Sequence, residues 1–337
     1  NTINIAPPLI VTEADVDEAI EKLGRGLAKA LASYGPETAT SERDTMADTI
    51  VLAYSGGLDT SVAIRWLQER YESGVATLTM NLGGKVDLEA ARQRALQIGA
   101  TRADVIDVRE EFIREYVWPA LQAGALYEGV YPLATALGRP LITKHLVRIA
   151  QEEKAFAIAH GCTGKGNDQV RFDVSAAALA PDLKVVAPAR EWGMTRDEEI
   201  AYAMDKDIPL DLNKRSSYSV DENLWGRSIE AGDLEDVEIP SFFVEPGMGV
   251  WAWDAPERHE AVTVRWEEGV PVALNGESLD LVRMFSEANG AAGKHGVGIG
   301  THVIENRFVG VKSRGIYESP GMELLGKTYE FLMQFIL

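Results

Sequence analysis

The stretch Ala53–Ser61, AYSGGLDTS, gathers glycines, hydroxyls and one carboxylate into a single short run. Thr49, Ile50, Val51 and Leu52 lead into it with β-forming side chains, and the amphipathic run Val62–Tyr71 follows, so the local order reads strand, small-residue turn, helix. Gly56 and Gly57 have no Cβ to keep a ligand away from the backbone. The amides that open the helix, reinforced by its dipole, favour negative charge at that point. Ser55, Thr60 and Ser61 add hydroxyl donors, and Asp59 adds a carboxylate able to hold Mg²⁺ beside phosphates. The pattern predicts a pyrophosphate cradle, against the simpler reading of a bare SGG as a tight turn. The stretch itself carries neither GxxxxGKS nor GxxxxGKT, so it is not the other common phosphate loop.

A second stretch, His160–Phe172 (HGCTGKGNDQVRF), opens the backbone at Gly161, Gly164 and Gly166 and crowds Thr163, Lys165, Asn167, Asp168 and Arg171 together. Asn167 offers donor and acceptor, Asp168 suits an ammonium group, and Arg171 can grip a carboxylate bidentately. That is equipment for an amino acid near a phosphate; a flexible polar loop is the plainer alternative. Three further segments are less specific. Tyr218–Ser228 (YSVDENLWGRS) reads by itself as a helix cap with solvated charges. Ile304–Gly321 pairs acids with Arg307, Lys312 and Arg314, as a surface β-hairpin would. Ala125–Leu141 places Tyr131 and Thr135 in a turn before a helix.

These residues need elements to position them. From Met46 onward strands are expected at Thr49–Tyr54, Val75–Leu82, Ala103–Val108, Ala155–His160 and Lys184–Ala187. Helices are expected at Ser61–Tyr71, Leu88–Ile98, Arg109–Ala123, Pro140–Glu153 and Thr195–Lys206. Such alternation predicts an α/β fold, a parallel sheet with helices on both faces that binds nucleotide beyond the carboxyl ends of its strands. After about Asp211 the rhythm changes. β-like pieces at Ser241–Val244, Ala261–Glu267, Val270–Leu274 and Phe308–Ser313 mix with helical ones at Leu279–Asn289 and Met322–Leu337, a second α+β domain. The expected division is 1–45 as extension and linker, 46–210 as nucleotide-binding domain and 211–337 as substrate-binding domain.

Composition narrows the function. With 337 residues and 46% hydrophobic content the chain can build about two cores. Its formal net charge of −19 argues against nucleic acid and anionic membranes as partners, so anionic substrates must be caught by local donors. The one cysteine, Cys162, leaves no intramolecular disulfide and suits a reducing cytoplasm. The five histidines show no zinc spacing, no apolar run is long enough to span a membrane, and the N-terminus does not read as a signal peptide. In the first 45 residues, Thr12 and Asp15 could cap a helix carrying Val16, Ile20, Leu23 and Leu27 on one face, and Tyr34–Thr45 reads as linker.

The complete SGGLDTS after a buried strand resembles the loop of the ATP pyrophosphatases, which split ATP into AMP and pyrophosphate to activate a carbonyl oxygen. In order, SGGLDTS, YEGVYPLATALGRPL, HGCTGKGNDQVRF, DENLWGRSIEAG, AGKHGVG and ENRFVGVKSRGIYESPG are similar to the pattern of the argininosuccinate synthase family, from about Asp48 to Leu337. The resemblance implies a two-step ligation in arginine biosynthesis and the urea cycle, with ATP and Mg²⁺, citrulline and aspartate. Citrulline's ureido oxygen attacks the α-phosphorus, citrullyl-AMP forms, and the aspartate amine displaces AMP. Carried over by position, Ala53, Tyr54, Ser55, Gly56, Gly57, Leu58, Asp59, Thr60, Ser61, Met80 and Gly161 would bind ATP. Tyr131, Asn167, Arg171, Ser219, Ser228, Glu305 and Tyr317 would bind citrulline, with Glu305 at its ammonium and Arg171 at its carboxylate. Thr163, Asn167 and Asp168 would bind aspartate. Asp59, Asp168 and Arg171 are the candidate catalytic residues, and Asp59 the candidate Mg²⁺ ligand.

Departures from the family pattern bear on substrate affinity. Val130 stands where an Arg is common, Ala189 where a Trp is usual, and Gly84 where a Gln is frequent; Ala136 falls where the family varies between Ser and Ala. Family members form homotetramers through a C-terminal helical arm beyond the position of Leu337, and the head INIAPPLIVTEADVDEAIEKLGRGLAKAL resembles instead the tail of a pyridoxal-phosphate aminotransferase. Both point to a fusion or upstream read-through ahead of Met46, to a shortened C-terminus and to an altered assembly. The alternative functions are another ATP pyrophosphatase, such as one activating a tRNA base, and a binding-competent relic that takes ATP and amino acid without turnover.

Overall fold

The computed structural model describes residues 49–164, 166–209, 218–306 and 310–336. The expectations for residues 1–45, Met46, Lys165, Arg307 and Leu337 lie outside the described residues.

β1 (Thr49–Ala53) is the middle of a five-stranded parallel sheet. It pairs on one side with β2 (Gly74–Asn81), then β3 (Arg102–Asp107), and on the other with β4 (Ala157–Ala159), then β5 (Lys184–Val186). Val51 lies opposite Ala76 and Ile158. Alternation along β1 assigns its two faces. Ile50 and Leu52 pack against α1 (Leu58–Tyr71) and α2 (Leu88–Ile98), through Val62, Ile64, Leu67, Ala91, Ala95 and Ile98. Val51 packs against α5 (Ala134–Glu152) and α6 (Asp168–Leu179), through Leu146, Ile149, Phe172 and Ala176. The chain order reverses between β1 and β4, so the crevice beyond their carboxyl ends is where a ligand is expected in such a sheet.

Between β3 and α5, the expected helix from Arg109 is broken into α3 (Arg109–Phe112), a π-helical turn (Ile113–Val117) and α4 (Trp118–Gln122). Pro119 lacks the N–H of a regular α-turn, and the wider turn before it accommodates that loss. α5 begins at Ala134 rather than at Pro140. Its first turn is secured from outside: Asn223 Nδ2 donates to Ala134 O at 2.8 Å and Trp225 Nε1 to Pro132 O at 2.7 Å. α7 (Pro188–Glu191) and α8 (Arg196–Asp205) follow β5.

The second half carries an antiparallel sheet ordered β11-β12-β7-β6, from β6 (Ser219–Glu222), β7 (Arg227–Glu230), β11 (Ile299–Asn306) and β12 (Val311–Glu318). A small sheet of β8 (Val264–Glu267), β9 (Val270–Leu274) and β10 (Glu277–Ser278) stands beside α9 (Leu281–Gly293) and α10 (Pro320–Ile336). Trp225, Met284, Phe285 and Leu325 form the core here, together with the Phe112–Trp118 rod.

The first-half strands and the helices Leu88–Ile98 and Thr195–Lys206 fall close to where the sequence puts them. Elsewhere the structure corrects the reading. Ser241–Val244 is not a strand: Ser241–Phe243 forms a 3₁₀ turn in which Phe242 packs on Phe243 and Trp253. Tyr218–Ser228 is not a helix cap but the β6–β7 hairpin. The strand expected at Phe308–Ser313 runs instead from Val311 to Glu318. Gly84 lies so close to the hairpin that a Cβ would sit 2.5 Å from Glu222 O, which explains why no larger side chain stands there. Among the described residues no helix is long and apolar enough to cross a membrane.

Candidate active site

A cavity of about 590 Å³ opens beyond the carboxyl ends of β1 and β4, walled on its far side by the antiparallel sheet. Two helices present their N-termini to it. α1 starts after Gly57 (φ −78°, ψ 178°) and α6 after Asn167, and neither has a side-chain cap on its first amides. By contrast Asp87, Thr195 and Asp280 cap α2, α8 and α9. Uncapped amides are open donors for an anion.

In the phosphate loop, Gly56 takes φ +79°, a left-handed turn that favours glycine. Arg94 Nη1 fixes the Gly56 carbonyl at 2.6 Å. Ser55 Oγ lies 3.1 Å from Thr60 Oγ1, and both side chains line the cavity with Ala53, Tyr54 and Asp59. Met80 and Gly161 line it too; Gly56, Gly57, Leu58 and Ser61 do not. Ser61 is turned into the core, where its hydroxyl meets Tyr54 OH at 3.1 Å rather than facing the cavity.

Asp59 pairs with Arg196 at 3.1 Å. Burial, then the neighbouring Asp59 carboxylate, push Glu199 on α8 up to about 8. A carboxyl raised above its unfolded value of about 4.3 contributes stability that is complete below that value and is lost as pH climbs to the folded one. Glu199→Gln removes that loss. The Tm difference between variant and wild type should therefore move steadily in the variant's favour from about pH 5 to about pH 8. Thermal melts across that range check it, and a pH-independent difference would refute it.

The opposite end of the cavity is charged. Arg139 on α5 donates through Nε to Asp168 Oδ2 and through Nη2 to Asp221 Oδ2, both at 2.8 Å, while Arg171 Nη1 donates to Asp168 Oδ1 at 2.6 Å. Burial alone would raise the Asp168 carboxyl, but the two guanidinium groups hold it below the usual carboxylate range. Arg139 was not singled out from the sequence; the GRP of ALGRPL, at the foot of a motif already noted, was its signal. Tyr131 OH meets Thr135 Oγ1 at 2.8 Å, and burial pushes its hydroxyl up to about 12. Its ring packs 4.8 Å from that of Tyr317, whose hydroxyl donates to Glu230 Oε1 at 2.7 Å.

The sheet's two-residue alternation decides which second-half side chains reach the cavity. Ser219, Asp221, Ser228, Glu230, Ser313 and Tyr317 share the cavity face, whereas Ile229 and Ile316 face a separate core. Ile304 and Asn306 line the cavity, and Glu305 between them does not. Glu305 is thus the one predicted amino-acid-binding residue set apart from the group. Thr163, Asn167, Asp168 and Arg171 all line the cavity. Among the described residues no group of three His, Cys, Asp or Glu side chains could hold a metal.

Residues 49–209 match the family model described as arginosuccinate synthase N-terminal HUP domain, and residues 218–337 match that of the arginosuccinate synthase C-terminal domain. The argininosuccinate synthase of Dictyoglomus turgidum is 50% identical over 292 residues, covering 86% of this chain and 72% of that protein. That of Dehalococcoides mccartyi is 51% identical over 292 residues (85% and 70%), and that of Symbiobacterium thermophilum 54% over 285 residues (84% and 70%). Among solved structures, NMN synthetase from Francisella tularensis aligns over 59% of this chain and 74% of that one at 14% identity, with a TM-score of 0.36. Two family models that together span most of the chain, and relatives sharing half its residues, place it: the chain belongs to the argininosuccinate synthase family.

Proposed function

We infer that the protein ligates citrulline to aspartate at the expense of ATP, releasing AMP and pyrophosphate, as a step of arginine biosynthesis. The observation that carries this reading is a single cavity with an anion-receiving loop at one end and an arginine–carboxylate cluster at the other. Such a reaction depends on positioning and on stabilising phosphate charge more than on a strong acid or base.

In this reading Ser55, Thr60 and the first amides of α1 receive the β- and γ-phosphates, and Met80 borders the adenine. Tyr131, Asn167, Arg171, Ser219, Ser228 and Tyr317 hold citrulline with its ureido oxygen toward the α-phosphorus. Attack forms the O–P bond as the bond to pyrophosphate breaks. Thr163, Asn167 and Asp168 hold aspartate, whose amine then bonds to the activated carbon as AMP leaves with the oxygen. Glu305 would reach citrulline only if its strand presented the other face. Mg²⁺ fits as an ion arriving on the triphosphate, since one protein carboxylate plus phosphate oxygens suffices for it. Asp59 would hold it, and it would neutralise phosphate charge. The division at about residue 210 into an ATP-binding and an amino-acid-binding unit, a cytoplasmic location and a homotetramer belong to the same reading. The exposed Phe331, Phe335 and Ile336 on α10 are an apolar face suited to a subunit contact.

The test is pyrophosphate release with ATP, Mg²⁺, citrulline and aspartate, and with each omitted. Release that needs citrulline, with argininosuccinate formed only when aspartate is present, is expected. Release without citrulline would indicate a different acceptor. ATP binding without release would favour a relic.

A further inference from the structure

Behind the His160–Asn167 loop lies a polar network that does not itself supply the substrate contacts proposed above. His160 is fully buried and stacks on Phe172 with ring centroids 4.7 Å apart. Its Nδ1 accepts the Cys162 amide at 3.2 Å, and its Nε2 faces Asp173 Oδ1 at 3.4 Å. This arrangement requires the neutral ring with its proton on Nε2, and burial, which lowers the imidazole pKa, keeps it neutral. Gln169, also buried, donates through Nε2 to Gly164 O at 3.0 Å and to Gly166 O at 3.2 Å. Arg190, on α7, joins the two arms: its Nη1 donates to Asp173 Oδ2 at 3.1 Å and to Gln169 Oε1 at 3.0 Å. One guanidinium from a distant part of the chain thus orients both the carboxylate that fixes His160 and the amide that fixes Gln169. Each arm ends on loop backbone, one on the Cys162 amide and the other on two glycine carbonyls.

We propose that Arg190, acting through Asp173–His160 and through Gln169, is a positioning residue that sets the geometry of the loop bearing Thr163, Asn167 and Asp168, and so the affinity for the amino acid which that loop receives. The assignment of that amino acid as aspartate rests on the function proposed above. Arg190 and Asp173 do not line the cavity, so their effect must travel through the loop. Glycines at 161, 164 and 166 leave the loop backbone little stiffness of its own, so an external scaffold has to supply it. The phosphate loop after β1 is held separately, by Arg94, and is not part of this network.

The test uses the full chain with Arg190→Gln, Arg190→Lys and Gln169→Met. Gln169→Met keeps the shape of the side chain and loses only its polar ends. In wild type the Cys162 amide should exchange slowly with deuterium; in Arg190→Gln exchange across 161–167 should quicken about tenfold, with the loop after β1 unchanged. In the ligation assay, KM for aspartate should rise about tenfold in both Arg190→Gln and Gln169→Met, while KM for ATP stays within about twofold. Arg190→Lys, which retains the charge, should recover part of the loss. Equal rises in every KM, or exchange rates unchanged in variants that melt like wild type, would overturn the proposal. The exchange readout needs no turnover, so it stands even if the wild-type protein makes no argininosuccinate.

Discussion

Asp168→Ala should lower argininosuccinate formation by a hundredfold or more while leaving ATP binding nearly intact. The carboxylate is held between Arg139 and Arg171. Its removal leaves two cations facing each other across the amino-acid end of the cavity, and among the described residues Arg139 keeps the Asp221 carboxylate alone. Truncating one member of a buried, hydrogen-bonded charge group costs about 2–5 kcal/mol, and each 1.4 kcal/mol is about a factor of ten. Asp168→Asn retains the shape and one acceptor and should fall between. Steady-state kinetics paired with nucleotide titration separates the outcomes; equal losses in ATP affinity and turnover would count against a role confined to the amino-acid end. The pH dependence has a definite sign. Because the folded carboxyl titrates below its unfolded value of about 3.9, its stabilisation is present above that value and is lost as pH falls through the folded one. The gap in Tm between wild type and Asp168→Ala should be widest near neutrality and narrow below about pH 4.

Trp225→Ala should cost about 4 kcal/mol and drop Tm by roughly 10 °C. The indole is 1% exposed, packs 5.8 Å from Phe285 and donates to the Pro132 carbonyl. Its loss opens a cavity and leaves that buried acceptor without its donor, two costs that add. The functional cost follows from position. Trp225 and Asn223 sit at the tip of the β6–β7 hairpin and grip the segment that starts α5, so they hold Ser228 and Glu230 in place relative to Tyr131 and Arg139. Trp225→Phe fills most of the space without the N–H and should recover over half the lost stability. Calorimetry with citrulline titration checks both halves of this expectation. A variant that melts normally but binds citrulline poorly would show that the tie matters only for the site.

The parallel sheet was legible because its strands are short apolar runs with glycine- and polar-rich breaks, a local signal. The two loops at its carboxyl edge were legible for the same reason, since Gly56 and Asp59 declare their chemistry within a few residues. Arg139 was harder to see. An arginine in an apolar helix looks like any solvated charge until Asp168 and Asp221, remote in sequence, are brought to it. The β6–β7 hairpin was hidden because SVDE and RSIE carry few β-branched residues. Their strand character comes from pairing, RSIE with β12 and SVDE with RSIE, a tertiary preference that overrides propensity. Glu305 shows the limit of position-by-position transfer: a motif names the residue, but strand alternation decides the face it occupies.

Gly57 precedes α1 with φ −78° and ψ 178°, a backbone any residue adopts without strain. Its lack of a side chain is therefore not required by the turn. A thermostabilisation campaign would consider this position: aspartate there would cap the helix and add roughly 0.3 kcal/mol over glycine. It would also place a permanent anion on the donors kept open for a transient one. The missing cap is stability forgone in exchange for a vacancy, and engineering that restores it would trade turnover for heat resistance.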